Sequence, residues 1–88
     1  MKYVLFYESA DDVAEKAPAF FPAHVARFDD FKGDLLMVGT FANPQQHGSM
    51  AVFLTREAAE AFAVGDPFVV NGVVKSWQVR GWNEVLAP

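Results

Sequence analysis

Two residues in this chain combine proton-transfer chemistry with surroundings that could direct it, His24 and Asp66. His24 stands on a run in which Ala17, Phe20, Phe21, His24, Phe28 and Phe31 recur at spacings of three and four, the pattern of one apolar helix face. An imidazole titrates near neutrality, which suits a general acid or base. The same position also suits a core histidine bonded to one backbone carbonyl. Asp66 follows Gly65 and precedes Pro67, so its backbone is restricted to extended geometry. A carboxylate held there can orient an imidazole and stabilise its charged form. It can equally be an Asx-turn or helix-end aspartate, a common residue before proline.

The remaining polar candidates are weaker. Ser49 opens a strand after Gly48, and its hydroxyl can bind a ligand or simply cap a strand edge; no nucleophile elbow surrounds it. His47 lies in a polar stretch and reads as solvated. His24, His47 and Asp66 lack the paired spacing of metal ligands, so no metal is expected. Arg80 and Trp82 share one face of the last strand, opposite Trp77; these are core or interface residues, or Arg80 is an anion contact. There is no phosphate-binding loop, dinucleotide fingerprint or haem motif.

The elements that must position these residues can be read from hydropathy and punctuation. Residues 2–8 are β-branched and aromatic and form a first strand. Asp11 or Asp12 can cap a helix over residues 13–32, with Pro18 and Pro22 predicting an irregular start and Gly33 a stop. Residues 35–41 and 49–54 are strands joined by a loop at 43–48, an antiparallel hairpin. Thr55 caps a second helix over 56–64 that ends at Gly65. Residues 68–74 suit a short helical turn, and 75–86 a last strand with a bulge or bend at Gly81. The order β-α-β-β-α-β is the ferredoxin-like pattern: an α+β fold with a four-stranded antiparallel sheet, in a single domain over residues 1–88.

Strict alternation places Tyr3, Leu5 and Tyr7 opposite Val4 and Phe6, Leu35 and Met37 opposite Leu36 and Val38, and Met50, Val52 and Leu54 opposite Ala51 and Phe53. Both sheet faces are then apolar, and two helices can cover only one. The chain is 88 residues long and 52% hydrophobic, with nine Phe and no cysteine. A domain of that size has a narrow stability margin, and disulfides are excluded as a remedy. A homodimer or larger homo-oligomer, packed through the uncovered sheet face, is therefore expected. The net charge of −4, scattered without a basic run, argues against nucleic acid as a partner. No apolar run approaches a membrane span, and the apolar opening at 1–7 is too short for a signal peptide. The absence of cysteine fits a reducing compartment, and the cytoplasm is the expected location.

These features together resemble the YciI-like (YCII-related) family of the dimeric α+β barrel superfamily. The resemblance rests on Tyr3-Val4-Leu5-Phe6, His24, and Gly33-Asp34-Leu35-Leu36-Met37-Val38-Gly39 leading to Asn43-Pro44. It continues through Gly48-Ser49, the run from Glu57 to Phe62 before Asp66-Pro67-Phe68, Asn71-Gly72-Val73, and Trp77 with Trp82. It implies a protomer similar in fold to muconolactone isomerases, with sheets packed in a dimer. It also implies a His–Asp active site at His24 and Asp66, with Ser49 nearby. A related member removes chloride from a chlorinated hydroxyquinol, which implies lyase or isomerase chemistry. Family members often carry an arginine three residues before the histidine; Phe21 stands there in this chain and leaves the pocket more apolar.

Two functions follow from these readings. In the first, His24 transfers a proton on a small cyclic or aromatic compound, Asp66 holds its tautomer, and Ser49, Phe21, Phe68 and Arg80 contact the substrate, with no cofactor required. In the second, the same cavity holds a small-molecule ligand without turnover, or the domain is an oligomeric accessory module. A scaffold in which His24 and Asp66 are only structural is a third possibility.

Overall fold

A computed structural model describes residues 1–88. Four strands, β1 (Lys2–Ser9), β2 (Leu35–Thr40), β3 (Ser49–Phe53) and β4 (Val74–Trp82), form one sheet in the order β2-β3-β1-β4. Every neighbouring pair is antiparallel. Helix α1 (Val13–Ala26) joins β1 to β2, a single turn α2 (Pro44–His47) joins β2 to β3, and α3 (Arg56–Gly65) with the short α4 (Pro67–Val70) joins β3 to β4. The ferredoxin-like α+β fold expected from the element order is the one observed.

Several local details depart from the sequence reading. Helix α1 runs unbroken through Pro18 and Pro22. The two prolines are four residues apart and both exposed, as is Ala14, so the carbonyls left without an amide donor (Ala14 and Pro18) lie on the solvent side, where water satisfies them. The α-helix then tightens into a 3₁₀ segment at Arg27–Phe31 instead of continuing, and Gly33 turns the chain with φ of 92°. The loop at 43–48 contains the α2 turn, which the Asn43 side chain caps by accepting from the Gln46 N–H at 3.2 Å. At the C-terminus β4 stops at Trp82, and register passes straight through Gly81; the irregularity falls at Glu8/Ser9.

A departure in β2 matters most for the site. Leu35 pairs with Phe53, but Met37 pairs with Val52 and Val38 with Ala51, so Leu36 is an extra residue in a β-bulge. Strict alternation fails there. Met37 turns to the uncovered face, and Val38 and Thr40 turn toward the helices.

The covered face carries Leu5 and Tyr7 of β1 and Ala51 and Phe53 of β3, packed on Ala59, Phe62 and Ala63 of α3. Phe53 and Phe62 are fully buried, and burial of each such side chain stabilises the fold by roughly 2 kcal/mol. Thr55 caps α3 by accepting from the Ala58 N–H at 3.1 Å. At the other end of α3, Arg27 donates to the Ala61 and Phe62 carbonyls at 3.2 and 3.0 Å, and its guanidinium lies over the Phe31 and Phe62 rings. A Cβ on Gly65 would fall 2.9 Å from that guanidinium, which would have to shift to admit it. Arg27 thus fixes the end of α3 one residue before Asp66.

The face turned away from the helices, the uncovered face, carries Val4, Phe6, Met50, Val52 and Met37, with Arg80 opposite Val4 and Gln78 opposite Phe6; Val4 and Val52 are buried, and Phe6 and Met50 half-buried. Met37 is 64% exposed and Trp82 49%. Past the sheet, Glu84 is held by Lys2 at 2.6 Å and by the N-terminal amine at 3.5 Å. Hydrogen bonding from Lys2 draws its carboxyl down to about 2. No helix is long and apolar enough to cross a membrane.

Candidate active site

The two residues singled out by their chemistry, 42 positions apart in sequence, meet on the covered side of the sheet. Helix α1 delivers His24, the one buried residue of that helix. The junction of α3 and α4 delivers Asp66, which is fully buried. His24 Nδ1 lies 2.8 Å from Asp66 Oδ1 and 2.9 Å from Oδ2. A carboxylate only accepts, so Nδ1 carries the proton and donates, and the neutral imidazole presents its lone pair at Nε2.

Asp66 contacts His24 and caps a helix at once. Its Oδ1 accepts from the Phe68 N–H at 3.1 Å, which is the cap of α4. The same cap fixes the carboxylate's plane, and so aims it at His24. A third donor completes the cluster: the Tyr7 hydroxyl donates to Asp66 Oδ2 at 2.6 Å. Burial, and then the bond to Asp66, hold the Tyr7 phenol far above its ordinary ionisation range. A carboxylate with no solvent exposure is costly unless its lone pairs are filled; here Tyr7, His24 and the Phe68 amide fill them.

Aromatic rings enclose the imidazole. Phe68 lies flat against it, with centroids 4.0 Å apart and planes 7° from parallel. Phe28 meets it edge-on at 5.2 Å and Phe62 at 6.1 Å. Such contacts add about 0.5–1.5 kcal/mol each to area burial and leave the ring little freedom to rotate.

The ring also forms part of the wall of a cavity of about 350 Å³ between α1 and the β2–β3 side of the sheet. That volume suits a single-ring compound. Phe21, Phe28 and Phe68 supply its aromatic wall, and Ser49 and Thr40, paired across β2 and β3, place two hydroxyl-bearing side chains on it. His24 is the one ionisable group in the wall apart from Tyr7, and no Lys or Arg reaches it.

Of the sequence candidates, His24, Asp66, Ser49, Phe21 and Phe68 are thus brought together. Arg80 is not. It pairs with Val4 on the uncovered face, with its guanidinium 5.5 Å from the Phe6 ring, and the sheet separates it from the cavity. His47 is exposed at the end of α2, outside the cluster, and no three His, Cys, Asp or Glu side chains are grouped to hold a metal. Sequence reasoning passed over Tyr7, Val38 and Thr40. A tyrosine on a covered strand face needs a partner for its hydroxyl, which was the available signal for Tyr7. Val38 and Thr40 gave none, because the bulge at Leu36 shifts the alternation that relates them to Leu35.

The chain thus combines a ferredoxin-like α+β sheet with a histidine–aspartate contact beside an aromatic cavity. The chain belongs to the YCII-related domain family, whose sequence model matches residues 1–83. It is 32% identical to Protein YciI of Escherichia coli O6:H1 and to Protein YciI of Shigella flexneri, over 98% of this chain and 100% of each relative. Among solved structures, it is similar to 5-chloro-2-hydroxyhydroquinone dehydrochlorinase from Burkholderia phenoliruptrix AC1100, in complex with 2,5-dihydroxybenzoquinone. That likeness has a TM-score of 0.78 over 94% of each chain at 16% identity, so it establishes a shared fold.

Proposed function

We propose that this chain is a small-molecule enzyme that moves a proton at His24 Nε2 on a cyclic or aromatic compound, by lyase- or isomerase-type chemistry. The observation that carries this reading is the fixed imidazole. Nδ1 is committed to a buried carboxylate, and the ring borders an apolar cavity sized for one ring. His24 Nε2 takes a proton from a carbon or hydroxyl acidified by a conjugated carbonyl. The electron pair left behind either expels a leaving group or shifts along the conjugated system. The imidazolium, stabilised by Asp66, then releases the proton to the departing group, to the new carbon terminus or to water. Ser49 and Thr40 bind ring oxygens, and Phe21 and Phe68 hold the ring. The dehydrochlorinase of similar fold supports the class of compound.

The uncovered sheet face completes the proposal. Two copies of the chain pair through the sheet face turned away from the helices, around Phe6, Met37, Met50 and Trp82, because no helix packs on that face and Met37 and Trp82 stand exposed on it. Light scattering on the purified chain reports the mass directly; a monomer at micromolar concentration would end this part of the proposal.

The chemistry is tested by exchange. In D₂O, a panel of cyclic enones and hydroxyquinones is followed by NMR for loss of acidic C–H signals or for product. Exchange that depends on the native chain and falls at least about 100-fold in His24→Gln supports the proposal. A ligand that binds stoichiometrically but neither exchanges nor reacts would instead make the cavity a binding site without turnover.

A further inference from the structure

The Asp66 carboxylate has more donors than a histidine–aspartate pair requires. His24 Nδ1 alone would orient the imidazole, and the Phe68 amide alone would cap α4, yet the shortest bond to the carboxylate, 2.6 Å, comes from the Tyr7 hydroxyl. We propose that Tyr7 is a positioning residue that sets the proton affinity of the His24–Asp66 pair, by withdrawing part of the carboxylate's charge from the imidazole. This rests on the proton-transfer reading of His24 given above.

The physical case starts from burial. Inside a protein, a fully buried carboxylate with a single ionic partner binds that partner's proton tightly. An imidazole so held would stay protonated at Nε2 and would be a poor base at neutral pH. A neutral donor on the same carboxylate shares its negative charge without adding a positive one. Tyr7 fits that role because its own proton is not available for loss: burial and Asp66 keep the phenol un-ionised far beyond neutral pH. Its position is also fixed. Its backbone pairs with Ser49 on β3 and Trp77 on β4, and the Cα of Gly48 presses against its carbonyl.

Few other charges bear on the pair. Arg27, which follows α1, acts on Tyr7 through its charge and favours loss of the phenol proton, by less than burial opposes it. Helix α3 packs Phe62 and α4 packs Phe68 against the imidazole, and Val38, Thr40, Ser49 and Ala51 line the same cavity, none of them ionisable. Tyr7 is therefore the side chain best placed to tune the pair.

The test uses the chain carrying His47→Gln, so that His24 gives the only imidazole signal, with and without Tyr7→Phe. The His24 ring resonances are followed against pH. Removal of the hydroxyl is expected to move the titration midpoint of the pair to higher pH by about one unit or more. The acid limb of kcat/KM moves with it on any substrate that shows His24-dependent turnover. A midpoint that stays in place or falls, in a Tyr7→Phe chain with native amide shifts, overturns the proposal and leaves Tyr7 as packing. Asp66→Asn separates the two layers. If it lowers the midpoint while Tyr7→Phe does nothing, only the Tyr7 role fails; if neither moves it, the pair itself fails. Should Tyr7→Phe not fold, 3-fluorotyrosine at position 7, a stronger donor of the same shape, is expected to shift the midpoint to lower pH, and an unchanged midpoint overturns the proposal equally.

Discussion

The α-carbon of Gly48 lies against the peptide carbonyl of Tyr7, so closely that a Cβ on residue 48 would overlap the carbonyl oxygen. Gly48 also holds φ of 72°, a conformation that side-chain-bearing residues adopt at a cost. The contact joins the start of β3 to the end of β1, where Ser49 pairs with Tyr7. It fixes the strand segment that carries a donor to Asp66.

Gly48→Ala is therefore expected to cost about 2 kcal/mol or more, from backbone strain and from displacement of Tyr7. Urea unfolding measures the loss. Gly39→Ala provides the control, because a Cβ there meets nothing within 4 Å. Equal losses in the two variants would mean that the close approach at Tyr7 is not what requires glycine.

Alkaline pH reads the Tyr7 hydroxyl in a second way. Its folded ionisation lies far above the ordinary value of 10.0. In the unfolded chain the phenol loses its proton at about pH 10, whereas the folded chain keeps it. Stability from this source is therefore complete below about pH 10 and falls as pH rises above it, by about 1.4 kcal/mol per unit. Tyr7→Phe removes that slope. Unfolding free energies of the two chains, compared between about pH 9 and pH 11, are expected to converge as pH rises. Parallel curves would show that the hydroxyl is no better held in the folded chain than in the unfolded one.

Much of this arrangement was legible in the sequence because it depends on local patterns. The three-and-four spacing placed His24 on the inward face of α1, and Gly65-Asp66-Pro67 announced a fixed carboxylate between two helical segments. What sequence could not give was the meeting of these residues, since Asp66 as a cap and Asp66 as an imidazole partner leave the same local signature. The two roles are compatible because Oδ1 accepts from the Phe68 N–H and still lies 2.8 Å from His24 Nδ1, with Oδ2 at 2.9 Å. Helix α1 was misjudged at its prolines because their cost depends on whether the freed carbonyls reach water, which is a tertiary property. The alternation along β2 fails for a related reason: one extra residue at Leu36 puts Met37 on the opposite face from Leu35, where strict alternation places the two together. Arg80 was a plausible anion contact by type, and only the register shows it on the far side of the sheet.

The charge of the cavity wall predicts which ligands enter. Phe21 is 56% exposed at the cavity's edge, 6.4 Å from Phe68, and no Lys or Arg lines the space behind it. A ring carboxylate entering the native chain would give up water without gaining a cationic partner, while a neutral phenol or cyclic enone loses little. Native protein is thus expected to bind phenol more tightly than benzoate. Phe21→Arg places a cation near the edge on a helix position that tolerates it, since the side chain is more than half exposed. That exposure limits the gain to about 0.5–1 kcal/mol, roughly two- to fivefold in benzoate affinity, and makes it weaken as salt is added. Ligand-detected NMR titrations at low and high ionic strength separate these effects. If benzoate binds the native chain as tightly as phenol does, or if Phe21→Arg leaves the preference unchanged at low salt, then the bound ring does not approach position 21, and ligands enter past another part of the wall.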